Sequence, residues 1–466
     1  MKTQVNLGKD SVFSLVLHLA IPTMIANFVN VLYNIVDRMF IGNIPKVGGL
    51  ALAGAGVCGP IVTLLTSFGS LIGLGGSILF SMRLGEGRKK EAETILSNSF
   101  LMLAAVSAVL TFLFLILKNK LLMWFGASAV TFPYANTYMT IYTLGTFFAL
   151  MAVGLNYFIT CQGFASVSMV TVLIGAVSNI ILDPIFIFVF RMGVAGAAVA
   201  TVLSQMFSCL FALSFLFGRR VSVRITFGNY SSSLMRRIIH LGISPFLIMA
   251  TDSIIMIVLN SSLQRYGGPA EGDLLITAGT IIQSYMLIIT STMLGISSGT
   301  QAILSYNYGA KQADRIKQAE KYILMLCLIF TSVMFLISRL LPAYFARIFT
   351  SDPSQIRMAV WGIHVCTLSI IPLSFQYAFV DGLTALGCTR AALTLSMFRK
   401  GSYVIFVLAL PAFLGAKNAF YAEPLCDILG SAAATISFFL IFQKHLDRRM
   451  HEVPPPLRND SPMKTV

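Results

Sequence analysis

About twelve stretches of predominantly apolar residues follow one another along the chain, and each is long enough to cross a lipid bilayer as a helix of about 20 residues. Only 11% of the 466 residues are charged, whereas a soluble domain carries roughly 25%. The breaks between the stretches are short, so little of the chain remains for a soluble domain. The sequence therefore predicts an all-α polytopic membrane protein with twelve transmembrane helices. The predicted segments are residues 12–41, 50–82, 95–117, 132–160, 166–190, 194–217, 236–263, 274–304, 321–341, 355–386, 390–414 and 421–443.

The chain begins with a short polar leader, MKTQVNLGKDS, that runs into the first apolar segment without a small-residue cleavage motif. We therefore expect this segment to remain in the mature protein rather than to act as a signal peptide. The seven cysteines fall singly along apolar segments, and neither a CxxC motif nor a histidine cluster such as HExxH occurs. This pattern predicts no disulfide framework, no metal centre and no cofactor.

Basic residues are concentrated in alternate breaks between the segments. The formal net charge of +15 would suggest a nucleic-acid partner in a soluble protein. In membrane proteins, however, lysine and arginine accumulate in cytoplasmic loops and contact anionic lipid. The basic breaks hold Arg83, Arg88, Lys89, Lys90, Arg219, Arg220, Arg224, Arg236, Arg237, Lys311, Arg315, Lys317, Lys321, Lys444, Arg448 and Arg449. The distribution predicts two cytoplasmic termini, contact with membrane lipid and no nucleic-acid partner.

The two halves of the chain resemble each other. The end of the second segment, GGSILFSMRLGEGRKKEAETIL, matches the end of the eighth, SGTQAILSYNYGAKQADRIKQAE. The matched pairs are Gly75 with Gly299, Ser81 with Ser305, Gly85 with Gly309, Pro22 with Pro245 and Gly163 with Gly387. An internal repeat of this length indicates a duplicated architecture.

Each half contains six predicted spans, so both halves enter the membrane in the same orientation. Such parallel repeats are related by an axis along the membrane normal, and they enclose a cavity in secondary transporters. The predicted domains are an N-terminal lobe at residues 1–217, a cytoplasmic linker at 218–235, a C-terminal lobe at 236–443 and a cytoplasmic tail at 444–466.

Few acidic residues fall within the predicted spans, and the first half holds two of them, Asp37 and Asp183. An intramembrane acid is costly and is by default a functional hypothesis. Asn179 lies four residues before Asp183 and shares its helix face. A buried acid without a partner tends to take up a proton, because burial disfavours the charged form. Together with the intramembrane Asn156 and Thr201, the two acids predict a site for a proton or a small hard cation.

A structural role is the alternative for these residues. Asp37 would then pair with Arg38 or reach the membrane interface, and Asp183 would cap its segment beside Pro184. Pro22 removes a backbone hydrogen bond inside the first segment and is expected to bend it. This bend either couples to cation binding at Asp37 or is a static feature that helps packing.

The second half carries Asp252 and Asp381, which could form another site for a cation or substrate. Arg399 and Lys400 lie well inside the eleventh segment, where an uncompensated charge is costly. We therefore expect them to face the cavity and to pair with Asp381. The alternative is a shorter span that begins after them.

Three motifs stand out in the first half: LYNIVDRMFIG with Pro22 upstream, the GxGG run before RLGEGR, and SNIILDPIFIF followed by GVAGAAVATVLSQ. With these motifs the chain resembles the MATE family of multidrug and toxic compound extrusion transporters, in the prokaryotic branch that contains MepA-like and DinF-like exporters. It implies two six-helix lobes, a monomer in the bacterial inner membrane, and an antiporter that exports cationic drugs or metabolites as H+ or Na+ enters. It also implies a first-lobe cation site, for which the matching positions are Asp37, Asn179, Asp183, Thr201, Tyr138 and Asn156.

Two other functions are alternatives to this interpretation. A lipid-linked oligosaccharide flippase of the same superfamily also uses two lobes, but its cavity needs several cationic residues for pyrophosphate, and this chain offers mainly Arg399 and Lys400. An enzyme would need a nucleophile with its base, a metal cluster or a phosphate-binding loop, and the sequence has none of these. The choice between H+ and Na+ stays open, because the same oxygen ligands serve both.

Overall fold

The computed structural model describes residues 5–125, 127–350 and 352–451, and helices dominate this part of the chain. Eleven of the described helices or helix arms are long and apolar enough to cross a membrane, or twelve when the bent pair α4–α5 counts as one span. The predicted all-α, polytopic fold class is therefore confirmed. The helices are α1 (Val12–Gly42), α2 (Gly48–Gly85), α3 (Lys89–Trp124), α4 (Phe132–Leu144), α5 (Thr146–Cys161), α6 (Ala165–Pro184), α7 (Val194–Phe217), α8 (Ser232–Gly309), α9 (Ala313–Leu340), α10 (Pro342–Phe349), α11 (Pro353–Cys366), α12 (Ile370–Ala385), α13 (Thr389–Leu414) and α14 (Ala422–His451).

Three predicted spans contain irregularities that the apolar pattern does not show. The fourth is broken between α4 and α5, which are bent by 57°. The fifth continues from α6 into a five-residue π-helix, Ile185–Val189. The tenth consists of α11 and α12 joined by the 3-10 turn Thr367–Ser369. Each break leaves the span apolar, and hydropathy therefore predicts the span without its bend.

The seventh and eighth predicted segments are the two arms of α8. The arms meet at Gly268, whose φ of +61° is a conformation that side chains other than glycine rarely adopt. The predicted break at residues 264–273 is therefore largely helical, and a single glycine interrupts it. The ninth predicted segment begins at residue 321, whereas the helix that contains it, α9, begins at Ala313, two turns earlier.

Helices of each half pack chiefly against one another around the buried apolar residues. In the first half, α1 packs on α6, α2 on α5 and α3, and α6 and α4 on α7. In the second half, α13 and α12 pack on α14, and α8 contacts α9, α11, α12 and α13. The halves meet where α1 and α2 pack against α8. The lobe boundaries given above stay a prediction.

The second segment of each half crosses its counterpart at a point of very close approach. A Cβ atom on Gly85 would lie 2.0 Å from the carbonyl oxygen of Tyr306. A Cβ on Gly309 would likewise lie 2.0 Å from the carbonyl oxygen of Met82. Each glycine thus meets the residue three positions before the other glycine. Such reciprocal contacts are what a twofold relation produces, so the crossing fits the internal repeat.

The polar leader joins the two halves at the end of the bundle where both described termini lie. The amide of Val5 donates to the carbonyl of Gly163 in the first half, at 3.3 Å. The carbonyl of Leu7 accepts from the side chains of Asn307 and Arg315 in the second half, both at 3.1 Å. The leader therefore contributes backbone hydrogen bonds to both halves.

An ion pair joins the two halves at the same end of the bundle. Arg449, near the end of α14, pairs with Glu86, which directly follows α2. Glu86 also accepts from Arg83 at 2.7 Å. Partial burial acts to raise the pKa of Glu86, but the hydrogen bonds and charges of Arg83 and Arg449 outweigh it and hold that pKa below its usual value. Glu86 is therefore ionised at neutral pH and links the two halves electrostatically.

Candidate functional site

Three helices of the first half bring the predicted cation-site residues together. Asn179 and Asp183 are one helical turn apart on α6, and the Asn179 amide donates to the Asp183 carboxyl at 3.2 Å. The same amide group lies 3.5 Å from the hydroxyl of Thr201 on α7. Asp37 reaches Asp183 from α1. Asn179 and Asp183 are at most 1% exposed, so the site is enclosed.

The side chains of Asp37 and Asp183 are in hydrogen-bonding contact. A hydrogen bond between two carboxyl groups requires a proton on one of them, because an ionised carboxylate only accepts. One oxygen of each group is buried without a hydrogen-bond partner in the described part of the chain. Within the same residues no salt bridge joins Asp37 to Arg38. Among the described residues the two acids therefore form no salt bridge with a basic side chain, although the charge of Arg38 lies near Asp37.

Two of the structural alternatives for these acids, the Arg38 pair and the helix cap, do not occur in the described residues. Asp183 is fully buried and bonded to a side chain, and the helix continues past Pro184 into the π-helix instead of ending at a cap. Asp37 is half-buried beside Asp183 and forms no salt bridge with its neighbour Arg38 among the described residues. The cation-binding role of both residues stays a prediction.

Aromatic and amide side chains extend the polar site on α4 and α7. Tyr138 lies within hydrogen-bonding reach of Thr201 and near Asp37, and its ring stacks on Tyr142. Gln205 donates to the Tyr142 hydroxyl at 3.2 Å. Sequence reasoning did not select Tyr142 or Gln205, although Gln205 lies one turn after Thr201. Asn156, which was selected, has a buried side-chain oxygen without a partner and no recorded contact with the described site residues.

Pro22 lies inside α1, which remains one helix of 31 residues. The neighbouring Thr23 hydroxyl donates to the carbonyl of Gly295 on α8 at 2.6 Å. One turn further, Asn27 donates to the carbonyl of Ser291 at 3.0 Å. The helix that carries Asp37 is therefore bonded to the opposite half beside its proline.

The basic residues of α13 have partners other than the predicted Asp381. Lys400 pairs with Asp252 at 2.6 Å and donates to the Thr251 hydroxyl at 2.9 Å. Arg399 pairs with Asp427 at 2.6 Å and with Glu423 at 3.3 Å. The expected pairing with Asp381 is therefore wrong. The physical reason is the orientation of the helices. The face of α13 that carries Arg399 packs against α14, and α14 supplies Asp427 and Glu423.

Asp381 belongs to a separate buried group. Its carboxyl accepts from Ser297 on α8, and Gln301 lies beside it. Its charged neighbour is Glu320 of α9, which is 4% exposed. Thus Asp252 and Asp381, both selected from the sequence, have different partners in the described structure and do not share one site.

Sequence reasoning missed Glu320, because it placed this residue in the break before the ninth segment. The residue lies inside α9, on a stripe of buried residues that includes Ile316, Ile323 and Cys327. That helical spacing was the available signal. No group of three or more histidine, cysteine, aspartate or glutamate residues suited to a metal occurs in the described ranges.

Known proteins match this chain over most of its length. The MatE family model matches twice, at residues 22–185 and 245–409. The multidrug export protein MepA of Staphylococcus haemolyticus is 27% identical over 432 residues, which cover 90% of this chain and 93% of the relative. MepA of Staphylococcus aureus (strain NCTC 8325 / PS 47) is 26% identical and covers 93% of this chain and 95% of its own.

Solved structures share the fold. A MOP superfamily transporter from Pyrococcus furiosus superposes with a TM-score of 0.88 at 22% identity, covering 97% of this chain and 99% of that one. This likeness extends to the full arrangement of helices. The family itself is shown by the two matches to the family model, which together cover more than half of the chain: this chain belongs to the MatE family, whose members are transporters and not enzymes.

Proposed function

We propose that this chain exports amphipathic, mostly cationic drugs or metabolites in exchange for H+ or Na+, by alternating access. The observation that carries the proposal is the contact between Asp37 and Asp183. Two acids held against each other, one of them fully buried and neither in a salt bridge among the described residues, need a bound cation to offset their repulsion. The multidrug export activity named for the MepA relatives supports the substrate class.

A proton is the simplest ligand for this pair. It satisfies the carboxyl contact directly, whereas Na+ would have to be surrounded by several oxygens. Asn179, Thr201 and Tyr138 could supply some of them, so the ion must be decided by experiment. In this mechanism the cation site includes Asp37, Asn179, Asp183, Thr201 and Tyr138; Asn156 is retained from the resemblance alone.

The geometry suggests how cation binding reaches the rest of the protein. Binding neutralises the acid pair on α1 and α6 and changes the position that α1 prefers. Beside Pro22, α1 holds the opposite half through Thr23 and Asn27. A bend or shift of α1 at Pro22 would therefore alter the interface on which the halves rock. Substrate affinity falls on the outward side, and the substrate leaves as the cation is held.

The remaining features of the proposal follow the same architecture. The protein acts as a monomer in the bacterial inner membrane, with both termini cytoplasmic and with lipid around its lobes. The lobes span residues 1–217 and 236–443, joined by the linker at 218–235 and followed by the tail at 444–466. Asp252, Asp381 and Arg399 belong to the second lobe, facing or bordering its cavity.

The flippase alternative is not favoured. Recognition of a pyrophosphate requires cationic side chains that are available to it. Both candidates are already neutralised, since Arg399 pairs with Asp427 and Lys400 pairs with Asp252.

An export assay tests the proposal directly. The purified protein is reconstituted into liposomes, and transport of an ethidium-like dye is followed with an imposed H+ gradient and, separately, an imposed Na+ gradient. We expect dye movement with one of the two gradients, and its loss to background in Asp37→Asn. The matched control is Asp314→Asn, which removes an exposed aspartate in the first turn of α9. Full gradient-driven export by Asp37→Asn, or equal losses in both variants, would refute the proposed coupling.

A further inference from the structure

The connection between α7 and α8, at residues 218–231, is a non-helical segment that lies along the first half. The amide of Val223 donates to the side-chain oxygen of Gln162, which directly follows α5, at 3.0 Å. The side chain of Asn98 on α3 donates to the carbonyl of Asn229 at 3.2 Å. Bonds to two separate places on the first half therefore hold this α7–α8 connection in one position.

Side chains of the α7–α8 connection alternate between the protein interior and its outside. Val221, Val223 and Ile225 are buried, as expected for an extended backbone that turns every second side chain to the same side. The exposed arginines of the connection are Arg219, Arg220 and Arg224. Within the described ranges none of the three forms a salt bridge. The connection thus presents three positive charges that the described acids do not neutralise.

Three phenylalanine rings form a cluster beside these arginines. Phe217, the last residue of α7, stacks on Phe227 of the connection with ring centroids 6.1 Å apart. Phe100 of α3 meets both rings edge-on, in geometries that aromatic pairs favour. Phe227 is nevertheless 70% exposed. Contacts with two helices therefore hold this ring in place while most of its apolar surface faces outward.

The outer face of α7 places the aromatic cluster at the edge of the membrane. Phe207, Leu210 and Phe217 are exposed, and their spacing puts them on one side of this spanning helix. Leu210 lies nine residues after the buried Thr201, which is two and a half turns, so this side faces away from the candidate cation site. An exposed apolar side of a spanning helix contacts lipid. It ends at Phe217, and Arg219 follows two residues later, as at a membrane–water interface.

The repeated architecture does not account for this arrangement. Equivalent positions of the two halves, such as Gly75 and Gly299, lie 224 residues apart. At this offset residues 218–227 correspond to residues 442–451, which are the last turns of helix α14. A connecting segment is needed only after the first half, but joining the halves requires neither exposed arginines nor an exposed aromatic ring. The composition of the connection therefore needs a separate explanation.

We propose that the α7–α8 connection is a binding surface for anionic phospholipid. Arg219, Arg220 and Arg224 hold the charged headgroups, and the rings of Phe217 and Phe227 lie among the upper parts of the acyl chains. The two kinds of side chain match the two parts of one lipid molecule, because arginine attracts anionic headgroups and aromatic rings settle at the interface. An acidic segment of a partner protein would satisfy the arginines but would leave the rings outside an apolar phase. The surface does not depend on which ion or substrate is transported.

Fluorescence quenching by brominated lipid tests this surface. Phe227→Trp is introduced into the full chain after Trp124 and Trp361 have been replaced by phenylalanine, and the protein is reconstituted into phosphatidylcholine bilayers. Dibrominated phosphatidylglycerol or dibrominated phosphatidylcholine is then added in increasing mole fraction. We expect the anionic lipid to reach half-maximal quenching at a mole fraction at least about 5-fold lower, since a single arginine near an anionic surface changes the affinity by roughly that factor. High salt should reduce this difference.

Variants of the three arginines identify the source of the preference. Replacing all three by glutamine should make the two brominated lipids equally effective, whereas replacing all three by lysine should retain most of the difference. The matched control removes the same charge from the second half, at exposed lysines. Its substitutions are Lys317→Gln, Lys321→Gln and Lys444→Gln.

Each remaining outcome is informative. Equal quenching by the two lipids before any arginine is replaced would overturn the proposal, as would an unchanged preference in the glutamine variant or an equal loss in the lysine control. Absence of quenching by either lipid would place the ring of residue 227 outside the bilayer and would favour a protein partner instead. The readout is lipid contact at equilibrium, so failure of the Asp37 export assay would leave this result unaffected.

Discussion

Replacing Gly85 by alanine should force apart the two halves at the end that carries the termini. The added Cβ would lie 2.0 Å from the Tyr306 carbonyl oxygen, whereas ordinary contacts begin near 3.4 Å. The helices α2 and α8 would therefore have to separate by about 1.4 Å at this crossing. The obstacle is backbone on a packed helix, so rotation of a side chain cannot relieve it.

The expected magnitude follows from the cost of overpacking. Inserting a methyl group where the backbone must shift typically costs about 1–3 kcal/mol. The clash exists only in the conformation in which α2 and α8 touch, so this conformation alone is destabilised. A difference of about 1–3 kcal/mol corresponds to a shift of roughly 5- to 150-fold in a two-state equilibrium. Gly309→Ala should have an effect of similar size, because its Cβ would meet the Met82 carbonyl at the same distance.

Distance measurements between spin labels provide the assay. Lys90 on α3 and Lys317 on α9 are exposed and lie on opposite halves near the crossing, so cysteines at these positions can carry the labels in a cysteine-free background. We expect Gly85→Ala to populate a longer distance. Gly56→Ala on α2 is the matched control, because nothing lies within 4 Å of its added Cβ and it gains the same helix propensity. Identical distance distributions for the two alanine variants would refute the reasoning.

Three ion-pair predictions can be measured by thermal unfolding in detergent. The pKa of Glu86 is held low by Arg83 and Arg449, so the stabilisation from these contacts is present at neutral pH and should be lost only as the pH falls through that lowered value. Arg449→Leu should reduce this acid-side loss, and Arg83 should sustain the part that remains. Arg399→Leu leaves the fully buried Asp427 without its ionic partner and should cost about 3–5 kcal/mol. Lys400→Leu frees only the exposed Asp252, so it should cost at most about 1 kcal/mol through the lost pair.

Further variants of the same protein serve as controls for these predictions. Glu93→Gln removes a glutamate that has no recorded ion pair, and its unfolding midpoint should keep the wild-type dependence on pH. An Arg399→Leu/Asp427→Leu double variant should recover much of the lost stability, since no unpaired charge remains. Equal losses in the Arg399 and Lys400 single variants would contradict the assignment of a buried and an exposed partner.

The sequence predicts the spans well, because the thickness of the bilayer imposes the length of each apolar stretch. It also predicts the Asn179–Asp183 contact, since both residues lie within one helix and a four-residue spacing fixes their common face. It could not predict that Arg399 pairs with Asp427 rather than Asp381. That choice depends on which faces of α12 and α14 turn toward α13, and the rotation of one helix against another is a property of packing.

The start of α9 illustrates a different limit. Lys317, Glu320 and Lys321 place three charges within five residues, and hydropathy therefore assigns them to a polar break. In the structure the lysines lie on the outer face of a helix, whereas Glu320 faces inward with Ile316 and Ile323. A hydropathy average over neighbouring residues does not show which side chains face outward and which face inward. The spacing of apolar residues retains it, so periodicity is the better guide at the ends of spans.

Comparing equivalent positions of the two halves also distinguishes residues that the shared fold requires from residues that only one half carries. At the offset of 224 residues, Ser81 stands beside Cys161 in the first half, and Ser305 donates to the carbonyl of Ala385, the counterpart of Cys161, in the second. Contacts that recur in this way are explained by packing alone. The acids do not recur, because Glu320 corresponds to Leu96 and Asp381 to Tyr157. Since a duplicated scaffold is stable with apolar or aromatic residues at those places, packing of the scaffold does not by itself account for the two acids.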